Sequence, residues 1–114
     1  MLRTIKLKLY KNNHLELEEK NIKCIEQRGN YSFKLKDSKM IINDRMFIRE
    51  NDEFKFSLSF KEKTCTYLFK ERNITYDIKV EKLEFHKNST NIEIIYKIET
   101  DESETRILLE KDGE

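Results

Sequence analysis

The stretch EFKFSLSFKEKTCTYLF, residues 53–69, decides the reading of this chain. Phe54, Phe56, Leu58 and Phe60 take every second position, with Lys55, Ser57 and Ser59 between them. After the charged break Lys61-Glu62-Lys63, Cys65, Tyr67 and Phe69 share a phase of their own. Because side chains of a strand alternate between its two faces, this is two strands and a turn with one apolar side. What matters for function is whether that side seals a solid core or lines a pocket.

The same period recurs on both flanks of this stretch. Ile5, Leu7 and Leu9 alternate with Lys6, Lys8 and Tyr10, and Leu15 and Leu17 continue after Lys11-Asn12-Asn13. Ile22, Cys24 and Glu26 form a third run, which Arg28-Gly29-Asn30 turns into Tyr31, Phe33 and Leu35, because Gly29 or Asn30 adopts positive φ cheaply. Met40 to Ile48 is apolar but broken at Asn43-Asp44-Arg45, a place for a bend or short helix. Downstream, Ile74, Tyr76, Ile78 and Val80 hold even positions whereas Leu83 and Phe85 hold odd ones. An unbroken strand through both sets needs a bulge near Glu81-Lys82. Ile92 to Ile98 and Thr105 to Leu109 complete a set of about eight to ten strands.

The expected fold is therefore all-β, a single antiparallel β-barrel domain over residues 1–114. Size favours a barrel over a sandwich, since 37% hydrophobic against 39% charged residues leaves a lean core that a small barrel can fill. So does charge: Met1–Lys11 holds four basic residues and no acidic one, and Glu99–Glu114 holds seven acidic and two basic. If first and last strands pair, Lys6 and Lys8 face Glu104 and Glu110.

Overall charge is nearly balanced, 23 basic against 22 acidic residues, so no net field draws the molecule to nucleic acid or an anionic membrane. The N-terminus MLRTIKLKLY alternates Lys with Ile and Leu where a secretion signal needs an unbroken apolar run, which reads as cytoplasmic. Cys24 and Cys65 then stand as free thiols.

Read in order, the segments resemble the YwiB-like bacterial domain of unknown function, a small calycin-like β-barrel family. The likeness lies in the basic first strand Thr4 to Tyr10, the hairpin and aromatic strand from Gly29 to Leu35, and Lys63-Thr64-Cys65-Thr66-Tyr67 continuing to Ile78-Lys79-Val80-Glu81-Lys82-Leu83-Glu84. It departs at Lys70-Glu71-Arg72-Asn73, where the family commonly has a Pro-Tyr-Gly type of turn. The resemblance implies a calycin-like barrel, the shape of proteins that hold small apolar ligands, and brings no catalytic residues.

Catalytic chemistry has little to work with. His14 and His86 sit beside polar turns without a third residue to orient a Cys–His pair, and His86 with Glu84 is the one candidate for metal. Glu71 with Asp77, and Asp101-Glu102-Glu104, are acid pairs that arise by composition in a chain with 22 acidic residues. Tyr31, Phe33, Lys34 and Lys36, with Phe54, Lys55 and Phe56, have the composition of a single-stranded nucleic-acid platform, but alternation sends rings and lysines to opposite faces.

What remains is a non-enzymatic barrel that needs no cofactor or metal, acts as monomer or homodimer away from membranes, and binds a small apolar ligand or a protein partner. Candidates for its interior are Phe54, Phe56, Phe60 and Phe69 as apolar wall and Arg49, Tyr67, Tyr76 and Tyr96 as polar groups, together with Thr64 and Thr66. The rings either line a hollow or fill the barrel, and the scarcity of small side chains favours filling. A filled barrel would act as an interaction module through a strand edge or apolar patch.

Overall fold

The structure, a computed structural model, describes residues 1–111. They form eleven strands: β1 (Leu2–Lys11), β2 (His14–Gln27), β3 (Asn30–Leu35), β4 (Ser38–Ile42), β5 (Met46–Glu50), β6 (Phe54–Ser59), β7 (Thr64–Phe69), β8 (Ile74–Ile78), β9 (Val80–Lys87), β10 (Asn91–Ile98) and β11 (Thr105–Lys111). Every ladder is antiparallel, in the order β8-β7-β6-β5-β4-β3-β2-β1-β11-β10-β9. Among the described residues no helix is long and apolar enough to cross a membrane.

First and last strands pair, Ile5 opposite Lys111 through Lys11 opposite Thr105. The two edges of the sheet, β8 and β9, are separated in sequence by Lys79 alone. The run Ile74–Lys87 thus gives its first half to β7 and its second half to β10, and nearly closes the barrel without a ladder of its own. The Lys79 carbonyl accepts a hydrogen bond from Glu99 N–H at 2.9 Å, fixing the changeover. The phase slip expected here is real: Lys82 opposes Lys97 while Val80 opposes Ile98, which leaves Glu81 as the extra residue of a bulge.

Two further bulges lie in β2, where separate Leu15–Leu17 and Ile22–Glu26 runs were expected. They are one strand. Ile5 opposes Ile22 but Leu7 opposes Glu19, so Lys20 and Asn21 face a single residue of β1, and Asn21 takes φ 59° to do it. Another slip beside Glu16 sets Leu15 opposite Tyr10, on the outer face and half exposed, instead of beside Leu17.

A chain without proline and with only two glycines turns by means of asparagine. Asn12 and Asn13 (φ 50° and 67°) and Arg28 and Gly29 (φ 53° and 79°) form two-residue hairpin turns with both central residues left-handed, which matches the twist of the strands they join. The break at Asn43 is a turn rather than a helix: Asn43 Oδ1 accepts from the N–H groups of Arg45 and Met46. Asn51 and Asn88 repeat the device three residues before Phe54 and Asn91.

Apolar residues of one phase face inward and bury Ile5, Leu7, Cys24, Phe33, Ile42, Leu58, Ile94 and Leu109 almost completely. Opposing walls touch through rings: Phe56 lies 5.9 Å from Tyr96 across the interior, and Phe60 stacks on Phe85 at 4.7 Å. One end is stopped by a polar cluster. Arg3 Nε pairs with Glu26 Oε1 at 2.6 Å, Tyr31 donates its hydroxyl hydrogen to Glu26 Oε2 at 2.9 Å, and Lys111 lies over the Tyr31 ring. On the outer face Lys8 meets Glu110 at 3.2 Å as charge complementarity suggested. Lys6 stands opposite Glu110 in the ladder but pairs with Glu18 of β2 at 3.2 Å, and Glu104, beyond the other end of the ladder, is held by Lys82 at 2.6 Å.

Deletion of Glu81 should leave Leu83 and Phe85 inward, with Lys82 following Val80 in an unbroken ladder to β10, whereas insertion of one further residue after Lys82 should force both onto the outer face and cost about 3 kcal/mol or more in urea unfolding. Glu81→Ala keeps the bulge and loses only an exposed contact with Lys97, about 0.2–1 kcal/mol. Stability should also fall in acid. Burial pushes the Glu26 carboxyl up, but the Tyr31 hydrogen bond and the charges of Arg3 and Lys111 outweigh it, and the net shift is down. Lys70 lowers Glu50, and Lys11 lowers Asp101. A carboxylate whose folded pKa lies below its unfolded value stabilises the fold above the unfolded value and ceases to as pH falls through the folded one, so the unfolding midpoint should drop progressively below about pH 4.5.

Candidate functional site

At the end of the barrel away from Arg3 and Glu26 the filling is incomplete. A cavity of about 210 Å3 lies among Leu9, Met40, Phe47, Arg49, Phe54, Phe56, Tyr67, Tyr96 and Ile107. Seven strands supply these side chains, each from its inward phase. Met40, Arg49, Phe56 and Tyr67 are successive cross-strand partners and make one continuous row along the wall. Phe54 and Tyr67 stack face to face at 5.3 Å, and Phe47 meets Phe56 edge-on at 6.2 Å. The Arg49 guanidinium lies 5.7 Å from the Phe54 ring centre, and its Nε is 3.4 Å from Ser38 Oγ, a long contact. Burial pushes the Tyr96 phenol up to about 12, with the Thr105 hydroxyl opposite it working the other way. Tyr96 therefore stays a neutral hydrogen-bond donor at any physiological pH.

Of the eight interior residues expected from sequence, the structure gathers Arg49, Phe54, Phe56, Tyr67 and Tyr96 around this space. Three lie elsewhere. Phe60 fills the opposite end against Phe85, and Phe69 ends β7 opposite Phe54, with Ile74 on its other side. Tyr76 continues the row beyond Tyr67 but is 55% exposed, since no strand lies on the far edge of β8. It borders a shallow crevice with Asp77, Ile78, Glu99 and Thr100. Thr64 and Thr66 alternate with the inward Cys65 and Tyr67 and so take the outer face. Leu9, Met40, Phe47 and Ile107 were missed as site residues. Their alternation marked them as inward, but nothing in sequence marked their height along the barrel axis.

Tyr31 and Phe33 are 1% and 4% exposed, so their rings lie in the core while Lys34 and Lys36 lie outside. Rings and lysines are not presented together for stacking a base. Lys34 and Lys36 do join Lys23 and Lys39 along an open groove where the β2–β3 ladder stops at Cys24 opposite Phe33. His86 Nε2 is 3.1 Å from Glu84 Oε1 on the open surface, and among the described residues no group of three or more His, Cys, Asp or Glu gathers as a metal site.

Comparison with protein-family models, curated proteins and solved structures finds no match to the chain.

Cys24 and Cys65 are free and buried, and burial pushes both thiols up to about 11. A thiol reagent at pH 8 should leave both unmodified over minutes in the folded protein and titrate two equivalents once it is unfolded; fast modification under native conditions would show that β2 or β7 opens readily.

Proposed function

We propose that the protein binds a small apolar molecule in the cavity between Phe56, Tyr67 and Tyr96, and does so without catalysing a reaction. The observation that carries this reading is an aromatic-walled space left open at one end of a barrel whose other end is stopped and whose middle is filled. At about 210 Å3 it lies below the roughly 300–1,000 Å3 of drug-sized sites and above the roughly 150 Å3 that accepts benzene. A single ring with a short chain is the right size; a long acyl chain or a haem is not. Tyr67 and Tyr96 offer hydroxyls to orient the guest. In this reading the chain is a YwiB-like, calycin-type barrel of the bacterial cytoplasm that carries its guest without a cofactor.

A second reading has one observation in its favour. The β8 edge is unpaired on one side, and Ile74 and Tyr76 stand 40% and 55% exposed on it. Such an edge accepts a strand from a partner or a second copy.

Thermal denaturation with single-ring apolar compounds separates the two. A guest at ten times its dissociation constant should stabilise by about 1.4 kcal/mol, and so raise the unfolding midpoint by about 5–10 °C. Ile107→Phe should fold, fill the cavity and abolish the shift. No shift with any compound, together with a dimer that Tyr76→Lys dissociates, would transfer the role to the β8 edge.

A further inference from the structure

The inner wall of a barrel is a costly place for a cation, and Arg49 stands on it. Its cross-strand partners, Met40 and Phe56, both face the cavity, so the Arg49 side chain leaves the backbone on the inner side and ends at the rim, where it is solvent-exposed. Apolar alternation along β5 calls for another Phe or Ile at this position. Among the described residues no acid pairs with it. Its neighbour Glu50 faces outward and holds Lys70 at 2.7 Å, and Asp37, the acid nearest Ser38, contacts the Ser38 hydroxyl at 3.4 Å. Among the described residues no carboxylate oxygen comes within 4.0 Å of Arg49; what it touches is the Phe54 ring and, at long range, Ser38 Oγ. Most of its five N–H donors are left to water, while the ring beneath it limits the orientations of its plane.

Resting on the ligand-binding reading above, we infer that the cavity takes a small amphipathic carboxylate, its apolar part among Phe56, Tyr67 and Tyr96 and its carboxylate on the Arg49 guanidinium. A neutral guest needs no cation at this point of the wall. A carboxylate does, and a planar fork accepts it through two parallel hydrogen bonds. The position at the rim suits both partners: the guanidinium stays hydrated when the site is empty, and the ligand's charge never enters the apolar end. Tyr96, protonated at all working pH values, is a second donor deeper in the cavity.

The test is calorimetric titration of the full chain with 3-phenylpropionate and with its neutral counterpart 3-phenylpropan-1-ol, repeated on Arg49→Met and Arg49→Lys. The acid should bind about tenfold or more tightly than the alcohol, and the preference should weaken with added salt. Arg49→Met should erase the preference for the acid over the alcohol while the alcohol still binds, whereas Arg49→Lys should keep part of the preference. Equal binding of acid and alcohol to the native chain overturns the anion assignment and leaves the apolar cavity standing. Loss of both ligands in Arg49→Met also overturns it, by showing that Arg49 shapes the wall. Failure of both compounds to bind the native chain removes the ligand-binding reading itself, and this inference with it.

Discussion

The architecture depends on one strand that changes partners. Ile74–Lys87 pairs with β7 before Lys79 and with β10 after it, so the two edges of an eleven-stranded sheet belong to the same piece of chain. An open sheet presents two rows of unpaired backbone groups; here those rows are the far sides of β8 and β9, brought together on one continuous run of chain. Ile78 and Val80 keep one phase across the changeover, and the Glu81 bulge then shifts the inward phase to Leu83 and Phe85 within β9. The pairing of β1 with β11 then joins the two halves, with the first and last strands in the middle of the sheet and not at its edge.

The cavity follows from how the walls meet. Phe60 against Phe85 brings the β6 and β9 walls together at one level, and Phe56 against Tyr96 does so nearer the open end. Beyond that contact the next inward residues are Arg49, Phe54 and Tyr67; the first is directed to solvent and the other two stack on each other along the wall. No ring is left to reach across. The space therefore arises where cross-barrel packing gives way to packing along one wall, and Arg49 stands at that boundary.

The surface is organised by the same alternation. Outer positions carry alternating charges that pair across strands, Lys8 with Glu110, Lys6 with Glu18, Lys97 with Glu81 and Arg106 with Glu93. Each exposed pair contributes little to stability, but together they favour one register over its neighbours, which matters in a sheet whose hydrophobic content is low. The cluster of Arg3, Glu26 and Tyr31 is different in kind, since it closes the barrel end with a guanidinium and a tyrosine hydroxyl gathered on one carboxylate.

Alternation in Glu53–Phe69 and its counterparts determined the strands, their inward faces and the all-β class, because side-chain direction in a strand is set by position parity alone. The change from even to odd apolar positions between Val80 and Leu83 determined a bulge. The same change between Leu17 and Ile22 was equally legible, and its consequence is the single long β2. Parity says nothing about height along the barrel axis, which strand tilt and three bulges fix together. Whether Phe60 and Tyr96 were neighbours, whether Tyr76 was inside or on a free edge, and whether Leu9 and Ile107 met the same space as Phe56 were decided only when the sheet curled round on itself. Arg49 is the residue in which both levels are visible: its phase placed it inward, and the curl of the sheet placed it at the mouth of a region its neighbours leave unfilled.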